Sequence, residues 1–290
     1  MRKKILVLGA NGQIGQEIMR LPPPDGVEIY GRSRAEFDVT ASPASFMDIL
    51  QGCDAVINCA AYTKVDEAEI RPDLAQQINA ESVMKLAMEA AKTGTIILHL
   101  STDFVFDGKN EGKAYLEQDI AHPINIYGLS KWRGEEALRH SHARHIILRT
   151  AWVFGAYGHN FVKAIMRQAD AGRDLSVVND QIGCPTPAQD IAATLVQMAE
   201  TVMKTATPHF GTYHYVGEPV VSWYDFAAAI LAEFYPEGRR PQLSPRSSAG
   251  MTGAIRPAWS VLDCRKIYRD YGIRQPNWRE KLAQFPPPNS

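Results

Sequence analysis

Three side chains in this sequence are suited to delivering a proton: Thr102, Tyr127 and Lys131. Thr102 lies in Ser101-Thr102-Asp103-Phe104-Val105-Phe106-Asp107-Gly108, directly after the apolar run Thr95-Ile96-Ile97-Leu98-His99-Leu100, so its hydroxyl falls at a strand end. Tyr127 and Lys131 open a helix-like stretch, Tyr127-Gly128-Leu129-Ser130-Lys131. Residues four apart share one helix face, so a phenol and an ammonium can point into one cleft. With the hydroxyl facing them, they form a set that could protonate a carbonyl as it accepts hydride. The alternative is an ordinary helix start with an exposed lysine, because four-apart pairs arise on any helix. A nucleotide site in the same chain decides between the two.

Gly9-Ala10-Asn11-Gly12-Gln13-Ile14-Gly15 supplies that site. It is a G-x-x-G-x-x-G turn with a strand signal before it and a helix signal after it. Glycine permits the tight turn and lets backbone N–H groups approach a pyrophosphate at the helix N-terminus. A purely structural turn is the competing reading. The end of the second strand bears on which nicotinamide binds. An acidic residue there suits NAD, whereas a 2′-phosphate needs positive charge. The sequence reads Tyr30-Gly31-Arg32-Ser33-Arg34, with no carboxylate until Glu36. A guanidinium forks well onto phosphate, so NADPH is expected on Arg32, with Ser33 or Arg34 assisting and NADH the weaker choice.

The elements that must position these groups alternate along the first half. Apolar runs at 4–8, 27–30, 55–59, 96–100 and 146–149 read as strands. Gln13 to Arg20, Pro43 to Gln51, Leu74 to Lys92 and Trp132 to Arg139 read as helices, the second with Ser42 as N-cap and Pro43 at its first position. Apolar strands separated by helices predict an α/β fold, a doubly wound parallel sheet covered on both faces. After Thr150 the rhythm loosens. Helices are expected over Asn160 to Ala171, Pro187 to Lys204 and Trp223 to Phe234, with short strands such as Leu175 to Val178 and Thr212 to Val216. The expected division is a dinucleotide-binding domain over 1–175, with helix 187–204 packing back on it. A smaller substrate lobe then covers 176–290, with Gly238 to Arg256 as loop and Pro286 to Pro288 as a tail.

The chain of 290 residues has a formal net charge of −1, which gives no global attraction for nucleic acid or an anionic membrane. Met1-Arg2-Lys3-Lys4 begins like a signal peptide, but Ile5 to Leu8 is too short for its apolar segment. No uncharged run is long enough to span a bilayer. The four cysteines lack paired C-x-x-C spacing. These features together predict a cytoplasmic, reducing location. His140, His142 and His145 sit where a helix ends before a strand, a place where histidines suit the helix dipole better than a metal.

These motifs together resemble the extended short-chain dehydrogenases/reductases, and more closely the dTDP-4-dehydrorhamnose reductase family. The resemblance covers nearly the whole chain. Besides the segments already quoted it includes Asn58 to Glu69, Arg149-Thr150-Ala151-Trp152-Val153-Phe154, Asn179 to Thr186 and Arg256-Pro257. It implies that Tyr127 donates a proton to the sugar C4 oxygen, that Thr102 polarises the carbonyl, and that Lys131 binds the nicotinamide ribose. It also implies that Lys131 lowers the Tyr127 pKa. An ammonium ~5 Å away at an effective dielectric of ~20 supplies roughly 3 kcal/mol, about two pKa units.

The resemblance extends the cofactor site to Asp38, Val39, Ala60, Ala61 and Tyr62. It places Thr63, Val65, Asp103, Phe104, Trp152 and Arg256 on the nucleotide-sugar substrate. It implies a monomer or homodimer. Some members of the family hold Mg2+ at a dimer interface. Glu17 could match one ligand, but Gln189 occupies the other position, and a neutral amide suits a hard cation poorly, so no metal is expected. The implied reaction is NADPH-dependent reduction of the C4 ketone of dTDP-4-dehydro-L-rhamnose. The alternatives are a reductase of another nucleotide-linked 4-keto-6-deoxy sugar, or a non-catalytic regulatory subunit of the methionine adenosyltransferase type.

Overall fold

A computed structural model describes residues 2–285, so the Pro286 to Pro288 tail lies outside the described residues. The first half runs β1 (Lys3–Leu8), α1 (Gln13–Arg20), β2 (Val27–Arg32), α2 (Pro43–Leu50), β3 (Ala55–Asn58), α3 (Val65–Ile70), α4 (Pro72–Gln76), α5 (Ser82–Thr93), β4 (Ile96–Thr102), α6 (Ile126–Ser141) and β5 (His145–Thr150). The second half follows with β6 (Val153–Phe154), α7 (Phe161–Asp170), β7 (Leu175–Val178), β8 (Ile182–Gly183), β9 (Thr186–Pro187), α8 (Ala188–Lys204), β10 (Gly211–His214), β11 (Val221–Ser222), α9 (Trp223–Phe234), β12 (Leu243–Arg246), α10 (Arg265–Tyr271) and α11 (Trp278–Ala283).

The main sheet has the order β10-β5-β4-β3-β1-β2, and all its pairs are parallel. Its strands alternate between two cores. Ile5, Val7, Ile57, Leu98 and Leu148 pack under α1 and α8. Leu6, Leu8, Val56, Ile97 and Ile147 face the layer of α2 and α5. Both faces are dry, which is why the strands read as continuous apolar runs. The order reverses between β1 and β3, and a doubly wound sheet opens its ligand crevice at that point, at the strands' carboxyl ends.

Three expectations need correction. Residues 211–214, assigned to the smaller lobe, form the sixth strand of the main sheet beside β5. Conversely, α7 lies before residue 175 yet contributes Val162, Ile165 and Met166 to the lobe core, against Phe226 and Ile230 of α9 and Trp278 of α11. The chain therefore crosses between the cores more than once, because each amphipathic element goes where its apolar face finds cover. The helix expected over Leu74 to Lys92 is also interrupted. Its turn Gln77–Glu81 is π-helical, and the Asn79 side chain there bonds the Tyr62 N–H, the Tyr62 carbonyl and the Ser130 hydroxyl.

Candidate active site

The carboxyl ends of β1, β4 and β5 surround a cavity of about 600 Å³. Gly12, Gly15, Thr102, Tyr127, Lys131 and Trp152 all line it. One wall is the glycine turn. Gly12 is the N-cap of α1 and makes no side-chain cap bond, so the helix N-terminus stays open towards the cleft. A Cβ on Gly15 would collide with the Gly9 carbonyl oxygen and the Ala10 backbone. That close approach leaves a cradle that fits a pyrophosphate.

The opposite wall is the start of α6. Asn125 caps it, accepting from the Gly128 N–H at 2.7 Å while donating to the Ile255 carbonyl at 2.8 Å. A Cβ on Gly128 would collide with the Phe104 carbonyl, so glycine alone lets the turn after β4 meet α6 here. This contact brings Thr102 to Tyr127. The Thr102 hydroxyl accepts from the Phe104 N–H at 3.2 Å and donates to Asp103 Oδ1 at 3.0 Å. The Phe104 ring meets Tyr127 edge to face at 5.5 Å.

The electrostatics differ from expectation at Lys131. Its Nζ donates to the Leu100 carbonyl at 2.7 Å and lies 3.2 Å from His99 Nε2. Lys131, expected to lower Tyr127, is not among the groups that shift it. Burial pushes the phenol up to about 12, the Asp103 carboxyl adds to this, and the Thr102 hydroxyl opposes it. Burial also brings Lys131 down to about 8, against the attraction of Glu135. Asp103 is raised to about 6 by desolvation. At neutral pH, Tyr127 is a protonated phenol, half-buried at the cavity wall.

Other predicted residues fall in several places. Gln13, Ile14, Ala61, Thr63, Val65, Asp103 and Phe104 line the same cavity. Gly9 and Ala10 are bonded to the Arg32 carbonyl, which ties the glycine turn to the end of β2. Arg32 and Arg34 are exposed there. Ser33 is held by Glu36, whose Oε2 accepts both its N–H and its hydroxyl. A carboxylate thus stands closer to this strand end than the sequence spacing implied. Asp38 accepts from Thr40, and Val39 packs against the core, beyond the cavity lining. Ala60 donates to Asn58, Tyr62 is bonded to Asn79, and the Asn11 carbonyl accepts from Gln16. Arg256 is paired with Asp66 at 2.8 Å, which pins the loop before α10 to α3.

Trp152 is the most constrained side chain of the site. It holds a positive φ of 46°, which is rare for a bulky residue, and stacks on Trp223 with centroids 3.5 Å apart. The sequence marks Trp223 only as the start of a helix. The Ser222–Asp225 capping box that places it is the signal available there. Sequence reasoning also misses the buried pair behind Lys131. Arg149 of β5 donates to Glu135 of α6 at 2.9 and 2.6 Å, and Ser101 donates to the same carboxylate. Desolvation would raise Glu135, but the Arg149 and Arg139 guanidiniums and the Ser101 hydroxyl hold it down to about 2.

Among the described residues, no cluster of three or more His, Cys, Asp or Glu could hold a metal ion. His140, His142 and His145 each bond a backbone carbonyl instead.

A doubly wound sheet, an open glycine turn and a Thr–Tyr–Lys set in one cleft define a Rossmann-type reductase of the extended short-chain class. Residues 2–287 match the family described as RmlD substrate binding domain. A dTDP-4-dehydrorhamnose reductase from Aggregatibacter actinomycetemcomitans is 42% identical over 289 residues, covering 97% of this chain and 98% of its own. Another from Sinorhizobium fredii is 40% identical, covering 97% and 96%. The dTDP-4-dehydrorhamnose reductase of Bacillus anthracis, solved in complex with NADP, superposes with a TM-score of 0.89 at 32% identity, covering 98% of this chain and 99% of its own. The chain belongs to the dTDP-4-dehydrorhamnose reductase family.

Proposed function

We infer that this protein reduces the C4 ketone of dTDP-4-dehydro-L-rhamnose to dTDP-L-rhamnose with NADPH. The observation that carries the reading is the meeting of Thr102, Tyr127 and Lys131 with the glycine turn around one cavity. It is supported by close similarity to enzymes of that name over the full chain length. NADPH, when bound, supplies the hydride. The cradle at Gly12 and Gly15 would hold its pyrophosphate, and Arg32 and Arg34 its 2′-phosphate.

Tyr127 donates the proton to the developing alkoxide, which favours a phenol that is neutral at working pH. Thr102 polarises the carbonyl oxygen by turning its one hydroxyl proton from Asp103 to that oxygen. Trp152 and Trp223 form an aromatic wall suited to the sugar face. Thr63 and Val65 border the same space. Arg256 takes the nucleotide phosphates only after leaving Asp66, or through its second guanidinium edge. No described helix is long and apolar enough to cross a membrane. A cytoplasmic enzyme, monomeric or homodimeric, acting on a soluble nucleotide sugar agrees with that.

The test is NADPH oxidation with dTDP-4-dehydro-L-rhamnose, with the product identified by NMR. Turnover to dTDP-L-rhamnose is expected. No turnover at ample enzyme would sink the reading and leave a nucleotide-binding regulatory subunit.

A further inference from the structure

His99 is a fully buried histidine in an apolar strand, and the hydride-transfer chemistry above does not use it. It sits beside Asn58 as its register partner between β3 and β4. The Asn58 amide is oriented without ambiguity. Its Oδ1 accepts from the Ala60 N–H at 3.1 Å, and a backbone N–H can only donate. Its Nδ2 therefore faces His99 Nδ1, 3.2 Å away, as a donor. In a neutral ring, Nδ1 then accepts and the proton resides on Nε2. Nε2 in turn lies 3.2 Å from Lys131 Nζ.

The donor count along this row is decisive. An ammonium has three donors and no acceptor, so a charged Lys131 places N–H against N–H at one of the two links. If the ring takes the other tautomer, the clash only moves to Asn58. An amine has a lone pair, so with Lys131 neutral both links are satisfied while another Lys131 N–H keeps the Leu100 carbonyl.

We propose that Asn58 and His99 are positioning residues forming a tautomer lock, which adds to burial in biasing Lys131 towards its amine form and so shifts the pH at which the reductase site loses its cation. The inference rests on the function proposed above only for placing Lys131 in a reductase site.

The other groups facing Lys131 do not produce this bias. The Cys59 thiol, after β3, stays neutral through burial. Glu135, one turn along α6, favours the ammonium, but its charge is shared with Arg149 and Arg139. Tyr127 on the same helix is a neutral phenol. His99 itself is kept neutral by burial and by Lys131, with His145 of β5 acting in the same direction and Glu135 opposing.

The test uses the free protein, labelled with 15N-histidine and 13Cε-lysine, and needs no substrate, so it stands apart from failure of the activity assay. Long-range 1H–15N spectra should show His99 as the Nε2–H tautomer. Asn58→Asp keeps an oxygen for Ala60 but turns the other position into an acceptor. That should flip the ring to the Nδ1–H form and let Nε2 accept from the ammonium. Lys131 should then hold its proton about tenfold more tightly or more, ~1 pKa unit upward, and the alkaline limb of the kcat profile should move with it. An Nδ1–H tautomer in the wild-type protein would overturn the proposal, whether or not the variant folds. So would a Lys131 titration that Asn58→Asp leaves in place.

Discussion

Replacing Asp103 with asparagine should make this protein more stable and less active, and the stability gain should depend on pH in a defined way. The carboxyl is 2% exposed. One oxygen accepts from Thr102, while Oδ2 has no hydrogen bond of good geometry, and the nearby Ser260 hydroxyl offsets its burial only in part. Desolvation raises the group from its ordinary 3.8 to about 6. At ~1.36 kcal/mol per pKa unit, that shift is worth ~3 kcal/mol.

The sign follows from proton counting. As pH rises, the unfolded chain releases this proton near its ordinary value, while the native chain keeps it until about 6. Stability therefore falls across that interval, and the full penalty applies above it. The carboxamide of Asp103→Asn would be neutral throughout and would still accept from Thr102. Any cost of fitting that amide is the same at every pH. The variant's advantage over wild type should thus grow by ~2.5 kcal/mol between pH 4 and pH 7.5, or ~5 °C in Tm at about 2 °C per kcal/mol. Urea unfolding of both proteins at several pH values measures it. A difference that stays flat across the range would refute the argument. Turnover should fall meanwhile, because a carboxylate buried at a cost beside the phenol is a group kept for function.

Three further outcomes are expected. Tyr127→Phe should lower kcat by ~10² or more with little change in NADPH affinity, and near-normal turnover would remove Tyr127 as proton donor. Arg32→Asp should shift the ratio of kcat/KM values towards NADH; an unchanged ratio would place the 2′-phosphate elsewhere. Glu135→Gln should destabilise the fold by ~3–5 kcal/mol in urea, since it strands the buried Arg149 guanidinium, and a loss below ~1 kcal/mol would show that the new amide oxygen and solvent relieve it.

What the sequence discloses about this site, and what it hides, divides along a physical line. The strands β1 to β5 are readable because a parallel strand buried on both faces must be apolar along its length. The sixth strand, Gly211-Thr212-Tyr213-His214, reads as a strand but not as part of this sheet, because pairing partners leave no mark on a four-residue edge segment. Helix ends are readable where capping is local, as at Ser42 and Pro43. The π turn at Gln77–Glu81 is not, because the Asn79 side chain reaches Tyr62 and Ser130, residues far off in the chain.

The same holds in the active site. Thr102, Tyr127 and Lys131 announce themselves by type and spacing, since a strand end and a helix start are local features. The direction in which Lys131 points is not local. It is set by Leu100 and His99 on β4, and its charge is balanced by Glu135, which answers to Arg149 on β5. A histidine inside Ile96-Ile97-Leu98-His99-Leu100 and an arginine closing Ile146-Ile147-Leu148-Arg149 are both visible as polar interruptions of buried runs. A buried polar residue requires a partner. Such interruptions therefore show that a network exists, and only the fold shows with whom. Residue type and spacing point to Tyr127 as the proposed proton donor; only the fold shows the network that Lys131 beside it belongs to.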